Sequence, residues 1–537
     1  HMPLFHILFA PLVRMAGERP DILFIARMAM LPLFAVIALL TYRIGSSVYP
    51  RPAAAWATAI GCLVPDFFLC SLEFRTDDLW TVFWLASIAL LVSAQLTTAR
   101  GALAGVMLGL AAAVSAKTSL LAICLGLAAI ATHLLALPAA VAFVLAALVP
   151  PALIAAYFAA RGAWQPFWYC TISHNLVASE HPQRLLLIPV SLAIIVAVAR
   201  RILRDDAPPE IRKRRLFLFL VAATYGAALI SVWPIIETEH WLPFYPLAAV
   251  AIVPLLGALS LPGVRQALSL SGEVLSLSGV RQALSLSGVR QALSLSVETR
   301  ETRQAESLSY TTTTALIALE LLRLIQLGIR DNTAPPVHLI AQTMQLTSPD
   351  ERVVDLKGEL LFRRRATYFV FEKITRRAIS QGRLRDTIAA DVLRTGAMVA
   401  VPDNDGFPRE GRAFLNRNFI RVGAIRVAGL IVPPTQSFRI EVPGEYSVVA
   451  ERGEFRGSLD GLPYQRSRYL AAGMHTIAAA GRNAVIWARA AAQGFSPWSD
   501  LYFPQGESKW FARAGSSLRR CSPSAAPAVS KSSNRSS

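Results

Sequence analysis

The chain has 537 residues, of which 54% are hydrophobic and only 16% are charged, below the roughly 25% charged content usual in soluble domains. Its formal net charge of +18 does not by itself indicate nucleic acid, because excess Lys and Arg beside apolar segments is typical of the cytoplasmic loops of membrane proteins. We therefore expect no nucleic-acid partner. The five cysteines include no CxxC pair, which supports neither a metal site nor a disulfide framework, and we expect no cofactor.

Long apolar runs fill most of the first 330 residues. A membrane-spanning helix needs about 20 mostly apolar residues, whereas residues 3–16 are too few and are expected to lie at the membrane interface. We therefore predict a mainly α, polytopic transmembrane bundle of about ten spans. The predicted spans are 21–42, 53–71, 79–97, 101–115, 119–136, 138–159, 185–200, 215–235, 243–260 and 313–329.

The orientation follows from the basic loop 200–215, whose seven Lys and Arg residues assign it to the cytoplasm. Counting spans outward places 72–78, Lys117, 161–184, 235–242 and all residues after 330 on the opposite side. The sequence therefore predicts a multi-pass membrane protein whose C-terminal region faces the periplasm or the cell exterior.

A tandem repeat interrupts the predicted membrane domain, residues 1–330, at positions 260–296. SLSGVRQAL occurs at 276–284 and again at 285–293, after the variant SLPGVRQAL at 260–268. The few short copies lack the set of apolar side chains that packs between neighbouring copies in solenoid repeats. We therefore interpret the repeat as a tolerated cytoplasmic insertion.

The chain after residue 330 has an ordinary soluble composition. Residues 331–435 mix short strands with helical stretches and predict an α/β domain. Residues 436–513 alternate apolar and polar positions between turns and predict a small β-sandwich. The Ser-, Arg- and Pro-rich residues 514–537 predict a disordered tail.

Charged residues at the predicted outer ends of the spans are candidates for a substrate site. Charge near the membrane interior is unfavourable without a partner or a wet cavity. Lys and Arg there could hold a lipid phosphate, and carboxylates beside them could orient a hydroxyl or accept its proton. The neighbouring turn 237–240 adds further carboxylates. The candidates are Arg27, Asp66, Glu73, Arg75, Asp77, Asp78, Lys117 and His240.

Several strings in residues 1–330 resemble the GT-C class of polyprenyl-phosphate-sugar glycosyltransferases, close to glycosyltransferase family 39, with its protein O-mannosyltransferase-like and aminoarabinose-transferase-like members. The strings are HMPLFHILFAPL at 1–12, IARMAMLPL at 25–33, SLEFRTDDLW at 71–80, SAKTSLL at 115–121 and ETEHWLPFYPLAAV at 237–250. Residues 458–475 resemble the PEGA-type β-sandwich pattern.

The resemblance implies an enzyme of the bacterial inner membrane that moves a hexose or pentose from a polyprenyl-phosphate carrier to an acceptor hydroxyl on the periplasmic face. The acceptor is unknown, and Arg27 and Lys117 would hold the donor phosphate. The family's first helix and acidic catalytic loop would lie upstream of His1, so we expect an N-terminally truncated chain whose own activity is in question.

Two other classes of protein remain open. A secondary transporter is expected to have internal repeats and broken helices around a midplane site, whereas the charges here lie near one face. A non-catalytic membrane anchor that presents the C-terminal region would tolerate neutralisation of those charges.

Overall fold

The computed structural model describes residues 2–93, 96–175, 182–234, 237–258, 317–326, 333–402 and 405–498. The chain forms two compact units, one of residues 1–16 and 24–330 and the other of residues 17–23 and 331–537. The predicted repeat at 260–296, the predicted tail at 514–537 and the end of the predicted β-sandwich after residue 498 lie outside the described residues.

The first unit is helical in all of its longer described elements, because its apolar runs satisfy their backbone hydrogen bonds within each helix. Residues 317–326 are also helical. The other helices are α1 Leu4–Ala16, α2 Ile22–Met28, α3 Leu31–Ser46, α4 Arg51–Leu63, α5 Pro65–Ser71, α6 Thr76–Val92, α7 Thr98–Val114, α8 Thr118–Thr132, α9 Leu137–Ala160, α10 Trp164–Thr171, α11 Leu187–Leu203, α12 Pro209–Ser231 and α13 Phe244–Ala258.

Four helices in the described part of the chain are long and apolar enough to cross a membrane: Ile22–Ser46, Leu137–Ala160, Pro182–Leu203 and Pro209–Ser231. The pair α4 and α5 counts as a fifth if it is one broken span, since it bends by 70°. The bend falls at Pro65, which lacks the N–H that would continue the helix. Each predicted span contains helix, but the number ten stays a prediction.

The pair α7 and α9 packs backbone against backbone. Gly101, Gly105 and Gly109 lie four residues apart on one face of α7. A Cβ atom at each would stand 2.7, 2.1 and 2.4 Å from a carbonyl oxygen of α9, and the oxygen facing Gly105 belongs to Phe143. Small residues at this spacing allow helices to approach closely in an apolar surrounding.

Helix α6 lies at the centre of the first unit. Trp80, Trp84, Leu85 and Ile88 are fully buried in one apolar cluster that also includes side chains of α3, α7, α8, α12 and α13. The outer faces of α9 and α11 are largely exposed and apolar, as expected for surfaces that meet lipid.

The described part of the second unit contains three sheets. Its helices are α14 Ala334–Leu346, α15 Lys373–Ser380, α16 Ile388–Thr395, α17 Arg409–Asn418 and α18 Ala488–Ala492. Its strands are β1 Arg352–Val353, β2 Arg364–Arg365, β3 Val399–Ala400, β4 Phe419–Val422, β5 Ile425–Val432, β6 Gln436–Ile440, β7 Gly444–Ala450, β8 Gly457–Leu459, β9 Leu462–Pro463, β10 Arg468–Leu470, β11 Gly473–Ala479 and β12 Asn483–Trp487.

The largest sheet of the second unit has the order β10-β7-β12-β5-β3, with β4 also paired to β5. A second sheet has the order β6-β11-β8-β9, and β1 pairs with β2. One apolar core runs from Leu346 to Phe495. Strand β5 lies in the predicted α/β region and pairs with β12 of the predicted β-sandwich, so the two regions share a sheet.

Candidate functional site

The segment between α5 and α6 is organised around Arg75. Its guanidinium contacts Glu73 at 3.3 Å, Asp77 at 3.1 Å and Glu239 at 3.2 Å. Glu239 comes from the turn before α13, so a single cation joins two segments that are distant in the sequence. A guanidinium presents several N–H donors in a rigid plane, which suits it to several carboxylates at once.

Asp78 is the most deeply buried carboxylate of this group, at 3% exposure. It lies in the first turn of α6, beside Ser71 and within electrostatic range of Asp77 and Arg75. Its Oδ2 atom has no hydrogen-bond partner among the described residues. A buried polar atom without a partner is destabilising, and such atoms are often explained by a functional role or by a missing ligand.

Lys117 lies at the corner between α7 and α8. Its Nζ atom is 5.8 Å from the centre of the Trp80 ring, and Trp80 Nε1 donates to Thr118 Oγ1 at 2.8 Å. Thr118 Oγ1 in turn donates to the Ser115 carbonyl at 2.7 Å. These bonds hold the corner against α6. The Lys117 ammonium is half-buried and has no ion pair or hydrogen bond among the described residues.

The turn before α13 brings Glu239 to the same place. Burial would raise the pKa of Glu239, but Arg75, a backbone hydrogen bond and Lys117 outweigh burial and hold this pKa below its ordinary value. Both cations therefore act on one carboxylate. We call Glu73, Arg75, Asp77, Asp78, Lys117 and Glu239 the charged cluster.

His240 has a structural place in this turn. Burial, followed by the Lys117 ammonium, lowers the pKa of His240 to about 4, so the ring is neutral near pH 7. The ring packs against Trp233 with 5.8 Å between centres, and the Tyr225 hydroxyl donates to the His240 carbonyl at 2.8 Å. His240 thus orders the turn that carries Glu239 and adds no positive charge.

Helix α1 covers part of the segment that carries Arg75. Phe74 lies 5.1 Å from Phe5 and 5.3 Å from Phe9 between ring centres, and Phe5 is almost fully buried. The short helix at the start of the chain is therefore packed against the charged segment through its aromatic side chains.

The remaining two predicted site residues lie elsewhere on the helices. Asp66 is exposed at the start of α5 and lies within electrostatic range of Tyr245 of α13. Arg27 is half-buried in the last turn of α2. That Asp66 and Arg27 share a substrate cavity with the charged cluster stays a prediction.

The sequence alone did not select four residues that organise the cluster: Glu239, Trp80, Thr118 and Tyr225. Glu239 stands in the polar turn 237–240, so its charge was a visible signal. Trp80, Thr118 and Tyr225 are ordinary residues of apolar helices, and only their packing shows what they hold. No group of three His, Cys, Asp or Glu side chains that could bind a metal ion occurs in the part of the chain that the structure describes.

Comparisons with known proteins give a distant likeness among solved structures. No protein-family model matches the chain, and no curated protein matches it. Among solved structures, the crystal structure of ArnT from Cupriavidus metallidurans in the apo state is similar over 75% of this chain and 83% of the ArnT chain, with 12% sequence identity and a TM-score of 0.43. A likeness this distant does not establish a family or an activity.

Proposed function

We propose that the chain is a membrane glycosyltransferase of the GT-C type, which moves a sugar from a polyprenyl-phosphate carrier to an acceptor hydroxyl. The observation that carries this proposal is the charged cluster. At one end of an apolar helical bundle it combines a buried carboxylate, Asp78, with an ammonium, Lys117. Among the described residues, one oxygen of Asp78 has no hydrogen-bond partner and Lys117 has no ion pair.

Lys117 is suited to the phosphate of the donor. The Arg75 guanidinium is already shared by three carboxylates, whereas the Lys117 ammonium has no ion pair within the described residues. An ammonium on a flexible stem holds a phosphate as a point charge. In the proposed reaction the bond between the anomeric carbon and the phosphate oxygen breaks, and Lys117 stabilises the negative charge that the phosphate gains.

Asp78 is suited to the acceptor. The acceptor oxygen forms the new bond to the anomeric carbon, and its proton must pass to a base within hydrogen-bond reach. The unpaired Oδ2 of Asp78 is a free acceptor for that proton. Arg75 holds Asp77 beside it, so the carboxylates keep their places while the proton moves.

The proposal is tested first by binding of undecaprenyl phosphate to the purified full chain in detergent. We expect Lys117→Gln to weaken binding about tenfold, as is typical when one charge-assisted contact is lost. Arg161→Gln is the matched control, because Arg161 is an exposed cation on the same predicted side that stacks on Tyr157 at 5.2 Å. Binding by the control should stay within about twofold of the unmodified chain, since surface pairs contribute little.

Turnover separates an enzyme from a non-catalytic anchor. The chain is given radiolabelled undecaprenyl-phospho-hexose or undecaprenyl-phospho-pentose in a membrane extract that supplies acceptors, and release of undecaprenyl phosphate is followed. We expect Asp78→Asn to abolish release while carrier binding is kept. Equal release by Asp78→Asn and the unmodified chain would contradict the assigned role of Asp78. Normal carrier binding by Lys117→Gln would overturn the phosphate site.

A further inference from the structure

A cavity that is open on one side lies away from the charged cluster, where three helices meet. Its volume is about 240 Å³, and it is lined by the last turns of α8 and α11 and by the first turns of α12. Its walls include Ala131, Leu203 and Leu216 as apolar groups and Arg212 and Lys213 as cations. The cavity belongs to the side of the bundle that carries the basic loop 200–215.

The two cations of this cavity differ in their surroundings. The Arg212 Nη1 atom donates to the carbonyl oxygens of Leu203 at 3.4 Å and Asp205 at 3.2 Å, so Arg212 is fixed by the end of α11. Lys213 is half-buried, and among the described residues it has no hydrogen bond or ion pair. A half-buried ammonium without a partner is unfavourable and is relieved by an anion.

The size and the lining of the cavity restrict the ligand. Pockets that hold drug-sized molecules are roughly 300–1,000 Å³, so this cavity of about 240 Å³ suits a small anionic group. Leu203 lines the cavity and is also 53% exposed, and it continues the face of α11 that carries Leu192, which is 57% exposed, and Val196, which is 37% exposed. An acyl chain can lie along that face while its phosphate reaches Lys213.

We propose that this cavity binds the phosphate of an anionic phospholipid from the surrounding leaflet. Basic pockets between membrane helices are suited to anionic lipid headgroups, and the first turn of α12 adds the positive end of a helix dipole. The site is separate from the charged cluster, and its ligand is a structural lipid, which neither gives nor accepts a sugar.

The test is titration of the full chain in detergent with phosphatidylglycerol, followed by native mass spectrometry. We expect Lys213→Gln to weaken binding about tenfold, the loss typical of one charge-assisted contact. Lys213→Arg should keep binding within a few-fold, because it retains the charge. Arg200→Gln is the matched control, since it removes the same charge from an exposed site that does not line the cavity. Lys117→Gln should also bind phosphatidylglycerol normally.

Two further ligands identify the source of the phosphate. Phosphatidylcholine should bind more weakly than phosphatidylglycerol and should not depend on Lys213. Inorganic phosphate should not displace the bound lipid at millimolar concentration. Displacement by inorganic phosphate that requires Lys213 would mean a free-phosphate site and would overturn the lipid proposal. Equal lipid binding by Lys213→Gln and the unmodified chain would overturn it too. So would equal weakening of binding by Lys213→Gln and Lys213→Arg, provided that both variants unfold at the same temperature as the unmodified chain.

Discussion

Replacing Gly105 by alanine tests the closest helix contact in the first unit. The added Cβ atom would stand 2.1 Å from the Phe143 carbonyl oxygen. The shortest C–H···O contacts between helices are about 3.3 Å, so α7 and α9 would have to separate by about 1 Å. A gap of that size removes roughly a quarter to a half of the dispersion energy of each atom pair that it opens.

The expected effect on stability is a loss of about 1–2 kcal/mol in the free energy of unfolding. Overpacking costs about 1–3 kcal/mol, and a backbone carbonyl cannot rotate away as a side chain can. The higher helix propensity of alanine offsets about 0.5–1 kcal/mol of this loss. Gly126→Ala is the matched control, because Gly126 lies inside α8 and nothing stands within 4 Å of its added Cβ atom.

The assay is unfolding of the purified chain by SDS in mixed micelles, followed by tryptophan fluorescence. Gly126→Ala should gain about 0.5–1 kcal/mol from helix propensity, so the two variants should differ by about 1.5–3 kcal/mol. A Gly105→Ala chain that is as stable as Gly126→Ala would show that α7 and α9 do not approach as described, and the reasoning would fail.

Three other predictions concern the charged cluster, the second unit and the topology. Arg75→Met should lower the free energy of unfolding by about 1–3 kcal/mol, because Asp77 is left buried without its cation. Adding Asp77→Asn to this variant should restore part of the lost stability. No restoration would count against the ion pair of Arg75 and Asp77. Burial lowers the pKa of His475, but the Ala471 carbonyl and Asp460 outweigh burial and raise this pKa above its ordinary value. The pair of His475 and Asp460 therefore stabilises the fold fully below about pH 6.5, and this stabilisation is lost as the pH rises through the folded pKa of His475. His475→Gln should accordingly speed amide exchange in β11 more at pH 5.5 than at pH 8.5. An equal effect at both pH values would contradict the raised pKa. Ser458→Cys, in a chain with Cys170→Ser and Cys521→Ser, should react with an impermeant thiol reagent in cells with a permeabilised outer membrane; labelling only after the inner membrane is lysed would overturn the predicted topology.

Only part of the charged cluster could be predicted from the sequence. Glu73, Arg75, Asp77 and Asp78 stand in a short polar string between apolar runs, and their mutual closeness follows from sequence neighbourhood alone. The ion pair between Arg75 and Glu239 could not be predicted from the sequence, because it depends on how α13 packs against α3, α4 and α12. The neutral state of His240 depends equally on its burial in the folded molecule.

By itself the sequence determined which segments of the membrane region are helices, since an apolar run must satisfy its backbone hydrogen bonds locally. It also determined the change to strands and mixed structure after residue 330. Only the tertiary structure decided the 70° bend at Pro65, the glycine contact of α7 with α9 and the unpaired oxygen of Asp78. The physical reason is that hydrogen bonding within a helix involves residues four apart, whereas burial and charge pairing depend on side chains that the chain brings together from distant positions.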